Sequence, residues 1–86
     1  MEITTTKRFD KQFKKQPEKI KRAFAERISV FVDDVHHPTL NTHKLSGNLK
    51  NLWSFNVSGD VRVVFDKSYA NIIILEAIGS HSELYG

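Results

Sequence analysis

Cysteine is absent from these 86 residues. That excludes a disulfide framework and a thiolate zinc site. No apolar run approaches a membrane span, and the polar, basic start does not read as a secretory signal; a cytoplasmic protein is the expectation. There is no glycine-rich phosphate loop, no nucleophile elbow and no Ser-His-Asp order. Paired carboxylates are lacking on the face where chemistry is expected. The chain has no internal repeat and no low-complexity segment. Its length allows one domain, residues 1–86, which buries only about 60% of its unfolded surface.

Charge is plentiful by contrast. Thirteen Lys and Arg against ten Asp and Glu give a net +3. The excess is concentrated between Lys7 and Arg27, where Lys7, Arg8, Lys11, Lys14, Lys15, Lys19, Lys21, Arg22 and Arg27 meet only Asp10, Glu18 and Glu26. A basic half points to an acidic partner, nucleic acid or protein, or else to a solvated helix face.

The stretch Leu52–Phe65 (LWSFNVSGDVRVVF) organises the chain. Trp53, Phe55 and Val57 alternate with polar residues on one arm, and Val61, Val63 and Phe65 on the other. Period two predicts two antiparallel strands with one apolar face each. A two-residue Gly59-Asp60 turn in straight register would turn Arg62 toward the core. A three-residue loop instead opposes Val57 to Val61, Phe55 to Val63, Trp53 to Phe65 and Asn56 to Arg62. The second register is preferred, because it buries the aromatics and leaves Ser54, Asn56 and Arg62 on a wetter face.

Around this hairpin the remaining elements follow. Glu2–Thr5 is β-prone, and Thr6 can cap a helix from Lys7, with Phe9 and Phe13 on one face. Pro17 suits the first turn of a second helix. Its stripe runs Ile20, Phe24, Ile28, Phe31, Val35, and it should stop near His36-His37-Pro38. Thr39–Asn51 is a polar connection pinned by Leu40, Leu45 and Leu49, leaving His43, Lys44 and Lys50 to solvent or a ligand. Asn71–Gly79 is nearly all apolar and predicts a strand covered on both faces. The order is βααβββ: an α+β fold, an antiparallel-rich sheet with a two-helix hairpin on one face. The pairing of the first strand with the last is left open.

The four histidines, His36, His37, His43 and His81, match no zinc spacing, so no metal site is expected. His81 follows an interior strand, with Tyr85 four residues on; Leu84 and Tyr85 could equally tack down the terminus. Arg62 sits mid-strand, where a guanidinium can grip a phosphate or pair with Asp66 or Glu76.

At HKLSGNLKNLWSFNVSGDVRVVF and at AIGSHSELYG the chain resembles the RelE/ParE superfamily of bacterial toxins, most closely the YafQ branch of RelE-type messenger-RNA interferases. His43, Leu45, Gly47, Arg62, Gly79, His81, Leu84 and Tyr85 match the family pattern. The resemblance implies a single RelE-like domain that cleaves ribosome-bound messenger RNA without metal or other cofactor, silenced by a cognate antitoxin. In such chemistry a 2′-hydroxyl attacks the adjacent phosphate, which requires a base, an acid and a cation. Carried over by position, His81 and His43 are the acid/base pair and Arg62 the phosphate clamp. Tyr85 stacks on or orients a base, and Asp60 in the hairpin turn polarises a histidine. Lys44, Lys50 and Asn56 are expected to contact RNA. Asn56 stands where YafQ-like members carry histidine, and Val61 where they carry tryptophan. A ParE-like inhibitor of DNA gyrase, or a weakened toxin, is the alternative on the same scaffold.

Overall fold

A computed structural model describes residues 1–46 and 51–85. Strand β1 (Glu2–Thr5) leads into α1 (Lys7–Lys14) and α2 (Glu18–Asp33). A 3₁₀ turn (Pro38–Leu40) and the two-residue β2 (His43–Lys44) follow. Then come β3 (Leu52–Ser58), β4 (Val61–Tyr69), β5 (Ile72–Ser80) and a short terminal helix, α3 (His81–Tyr85). The sheet order is β1-β5-β4-β3-β2, parallel only between β1 and β5. The expected βααβββ order is therefore present, with β2 and α3 as additions.

Thr6 both starts α1 and ties it to the sheet. Its Oγ1 accepts the Phe9 N–H at 3.0 Å and donates to the Glu76 carbonyl at 3.0 Å. Phe9 and Phe13 meet Phe24 of α2, with ring centroids 5.8 and 5.1 Å away. Pro17 is the residue before α2 rather than within its first turn; its carbonyl accepts from Ile20 and Lys21. The helix ends at Asp33, short of the expected stop near His36-His37-Pro38. The reason is local: the Asp34 carboxylate accepts the His36 N–H at 3.0 Å, offering the backbone a turn in place of another helical bond. Val35 is therefore off the helix, yet it still packs against the core.

The core lies between the two helices and one sheet face. Phe31, Phe55 and Phe65 are fully buried, with ring centroids 4.8 to 5.9 Å apart, and Leu40, Val63, Leu75 and Ile78 surround them. Leu40 and Leu45 anchor the connection, buried and half-buried. Leu49, the third expected pin, lies outside the described residues, as do Gly47 and Lys50.

The hairpin register is as expected at Trp53–Phe65, Phe55–Val63 and Asn56–Arg62. Its tip differs. Ser58 opposes Val61 across a two-residue Gly59-Asp60 turn, and the extra residue is absorbed as a bulge at Val57. Gly59 has φ 52°, a conformation that strains any residue with a Cβ. The bulge leaves the Val57 carbonyl to accept from Arg27 Nε of α2 at 3.2 Å. A guanidinium thirty residues upstream thus supports the bulge.

The second sheet face is drier than expected. Ser54, Val64 and Ala77 are buried, while Asn56 and Arg62 are half-buried. Leu84 and Tyr85 of α3 lie over this face and, with Arg8, Leu52, Val64, Glu76 and Ala77, enclose a cavity of about 80 Å³. Among the described residues no helix is long and apolar enough to cross a membrane.

Candidate functional site

Strand order decides which polar side chains meet. His43 opposes Ser54, Asn56 opposes Arg62, and Arg62 opposes Gly79 on its other side. All lie on the face away from the helical hairpin. The chain then leaves β5 directly into α3, whose first residue is His81. Positions four apart on a helix share a face, and the His81 and Tyr85 rings meet edge-on, centroids 4.9 Å apart.

Two devices fix α3. Ser80 and Glu83 form a reciprocal cap: the Ser80 N–H donates to Glu83 Oε1 at 2.7 Å, and the Glu83 N–H donates to Ser80 Oγ at 3.2 Å. The Ser80 backbone N–H, and next its side chain, hold the Glu83 carboxyl below the ordinary carboxylate range, against a small opposing effect of desolvation. Gly79 makes room, since a Cβ there would sit 3.1 Å from Glu83 Oε1. Asp60, at the hairpin tip, accepts the His81 backbone N–H at 3.3 Å. The bond that the structure gives Asp60 to His81 is thus to the backbone, not the imidazole.

The result is a cavity of about 220 Å³ lined by His43, Leu45, Ser46, Arg62, His81 and Tyr85. Four of the five residues assigned to catalysis from sequence share it, and the fifth, Asp60, holds the element carrying two of them. Among the described residues, Asn56 Oδ1, Arg62 Nε and Tyr85 Oη are buried polar side-chain atoms with no hydrogen-bond partner. Desolvation of such atoms is costly without a partner; all three lie on the site face and are sealed from solvent. Arg62 Nε can donate, Asn56 Oδ1 can accept, and Tyr85 Oη can do either.

His43 is held at both ring nitrogens. Nδ1 lies 3.0 Å from the Asn41 carbonyl, and Nε2 lies 3.3 Å from Ser54 Oγ. Of the residues expected to touch RNA, Lys44 is exposed, opposes Trp53 and does not line the cavity. Lys50 lies outside the described residues. Sequence reasoning missed Ser54 as more than a wet-face serine, and it missed the Ser80/Glu83 cap, although S-x-x-E is a recognisable signal.

A larger groove of about 490 Å³ is lined by Gln12, Lys15, Gln16, Pro17, Ile78 and Glu83. It contains no histidine, and none of the unmet buried atoms line it. The smaller cavity is where the two imidazoles meet Arg62 and Tyr85. Among the described residues, no three His, Asp or Glu side chains gather as metal ligands would.

The family model described as a bacterial toxin of type II toxin-antitoxin system, YafQ, matches residues 1–86. No curated protein sequence matches the chain. Among solved structures, Escherichia coli YafQ superposes with TM-score 0.83 at 15% identity, covering 99% of this chain and 98% of that one. Its complex with DinJ gives 0.81 at 16%, covering 99% and 97%. A chain of the RelB–RelE antitoxin–toxin complex from Methanococcus jannaschii gives 0.75 at 18%, covering 95% and 94%. A metal-bound toxin from Helicobacter pylori gives 0.72 at 27%, covering 99% of each.

Proposed function

The chain belongs to the YafQ family of bacterial type II toxins, and from that premise we propose that it is an endoribonuclease acting on ribosome-bound messenger RNA, without a metal cofactor. The observation that carries the reading is the coincidence, in one cavity, of two imidazoles with the Arg62 and Tyr85 side chains.

A phosphodiester entering this cavity meets complementary chemistry. Its non-bridging oxygens accept from the Arg62 guanidinium, which offsets the negative charge that builds on the phosphorane. One histidine removes the 2′-hydroxyl proton as the oxygen attacks phosphorus. The other protonates the 5′-oxygen as the P–O5′ bond breaks, leaving a 2′,3′-cyclic phosphate and a free 5′-hydroxyl. For His43 the working atom is Nε2, because Nδ1 is committed to the Asn41 carbonyl. Asn56 cannot exchange a proton at neutral pH and does not line the cavity, so the acid/base work falls to the two histidines. Asp60 acts through the backbone, holding α3 so that His81 faces Arg62.

The partner in the resting cell is a cognate antitoxin, as DinJ and RelB are for the toxins in their complexes. The basic, exposed surface of α1 and α2 suits an acidic segment that orders on binding. The site of action is the cytoplasm, where ribosomes are.

Mapping RNA ends after brief induction tests the reading. Discrete cuts within translated messages, carrying cyclic or 3′-phosphate ends and lost in His81→Ala, are expected. Intact messages accompanied by broken DNA would assign the chain to gyrase inhibition instead, a possibility raised by Asn56 standing in place of a titratable residue.

A further inference from the structure

We propose that Ser54 is a positioning residue for His43: its buried hydroxyl holds Nε2 in both protonation states and keeps the imidazole aimed into the cavity. The proposal rests on the reading of His43 as an acid/base group.

Ser54, on the strand next to the sheet edge, has no exposed surface and is the fully buried polar side chain among the described residues. An alanine would be the cheaper residue there unless the hydroxyl is used. Its hydrogen-bond partner is His43, the residue directly opposite on β2. That strand has two residues and lies at the sheet edge, so its backbone alone holds a side chain loosely.

The other ring nitrogen settles the tautomer. The Asn41 carbonyl can only accept, so Nδ1 must carry a proton. Asn41 is in the left-handed region (φ 48°, ψ 47°) at the end of the 3₁₀ turn, a conformation that asparagine tolerates. Fully buried Leu40 anchors that turn. In the neutral ring the lone pair is therefore on Nε2, and the Ser54 hydroxyl donates to it. Once Nε2 is protonated, the same hydroxyl rotates and accepts. A hydroxyl can serve both states, whereas an amide or a carbonyl at this place would favour one. At 3.3 Å the bond is long, so a substrate hydroxyl can displace it. Because Ser54 is sealed from solvent, it cannot itself touch the phosphodiester.

Three variants of the full chain, Ser54→Ala, Ser54→Thr and Ser54→Cys, test this. Nitrogen-15 spectra of the histidine ring and cleavage of ribosome-bound message are measured on each. The wild-type ring is expected to show a protonated Nδ1 and a hydrogen-bonded, unprotonated Nε2. In Ser54→Ala the Nε2 resonance should move to that of a free pyridine-type nitrogen. Its cleavage rate at saturating ribosomes should fall about tenfold, as loss of one hydrogen bond predicts, with KM unchanged. Ser54→Thr should restore both. Ser54→Cys, closest in shape but a weak donor, should resemble alanine, and it replaces alanine in the comparison if that variant does not fold. Unchanged Nε2 resonance and unchanged rate in a folded Ala or Cys variant would overturn the proposal. If wild-type protein cuts no message, the nuclease reading fails, and the spectra still decide whether Ser54 holds the ring.

Discussion

Arg62 and Tyr85 each bury a polar atom with no partner among the described residues. Such atoms lower stability and are kept where they serve a ligand. Two variants follow from this. Tyr85→Phe removes an unmet hydroxyl, so the folded protein should gain about 1 kcal/mol while cleavage slows. Arg62→Ala should slow cleavage by roughly a hundredfold or more, with no loss in melting temperature. Arg62→Lys should not rescue it, because an ammonium has no Nε and no planar fork. Paired melting curves and rate measurements check both. A Tyr85→Phe protein that is less stable would mean that the hydroxyl has a partner after all. These side chains were visible in the sequence, but their unmet state was not: it depends on how closely the surrounding strands and α3 enclose them.

Helix α3 is too short to stand on its own propensity. Its cap, its tie to Asp60 and its packing over the sheet hold it, and His81 and Tyr85 are placed only as well as it is. The Glu83 carboxyl is held below its ordinary range by the Ser80 N–H. A lowered folded-state value means that the cap's contribution is present above the unfolded-state value and is lost as pH falls through the folded one. Protection of the amides in residues 81–85, taken relative to the intrinsic exchange rate at each pH, should therefore fall in the acid range, and the Glu83→Gln protein should lack that step. Gly79→Ala should loosen the same cap at neutral pH, because the new methyl would crowd Glu83. Elements of this kind divide by whether their cause is local. The hairpin register, the α1 cap and the interior strand β5 are written in alternation and capping residues within a few positions. The bulge at Val57 is not, because Arg27 supports it from α2. Nor is β2, a pair of residues in a polar stretch that becomes a strand only because β3 offers it an edge.

At the scale of the whole molecule, the order β5-β4-β3-β2 carries His81, Arg62, Asn56 and His43 across a single face. No periodicity in the sequence encodes that order; the family resemblance supplied the residues, and the sheet brings them to one cavity. The helices pack on the opposite face and carry the charge: Lys7, Lys11, Lys14, Lys15, Lys19 and Arg22 are exposed along α1, α2 and the bend between them. Arg8 of α1 reaches the site face beside Tyr85, and Lys15 lines a groove with Glu83 of α3, whereas Lys14 and Lys19 line neither, so much of this charge is separable from the chemistry by mutation. Exposed cations that meet phosphates release counterions, so affinity falls with salt in proportion to the number of contacts. Lys14→Glu with Lys19→Glu should weaken ribosome association and flatten its dependence on salt, while the rate at saturating ribosomes stays near wild type. Arg62→Ala should do the reverse, with little change in association and a large loss of rate. Titrations at several salt concentrations, paired with single-turnover cleavage, separate the two. An unaltered salt dependence in the double lysine variant would show that these helices do not meet the ribosome and would leave their charge to the antitoxin.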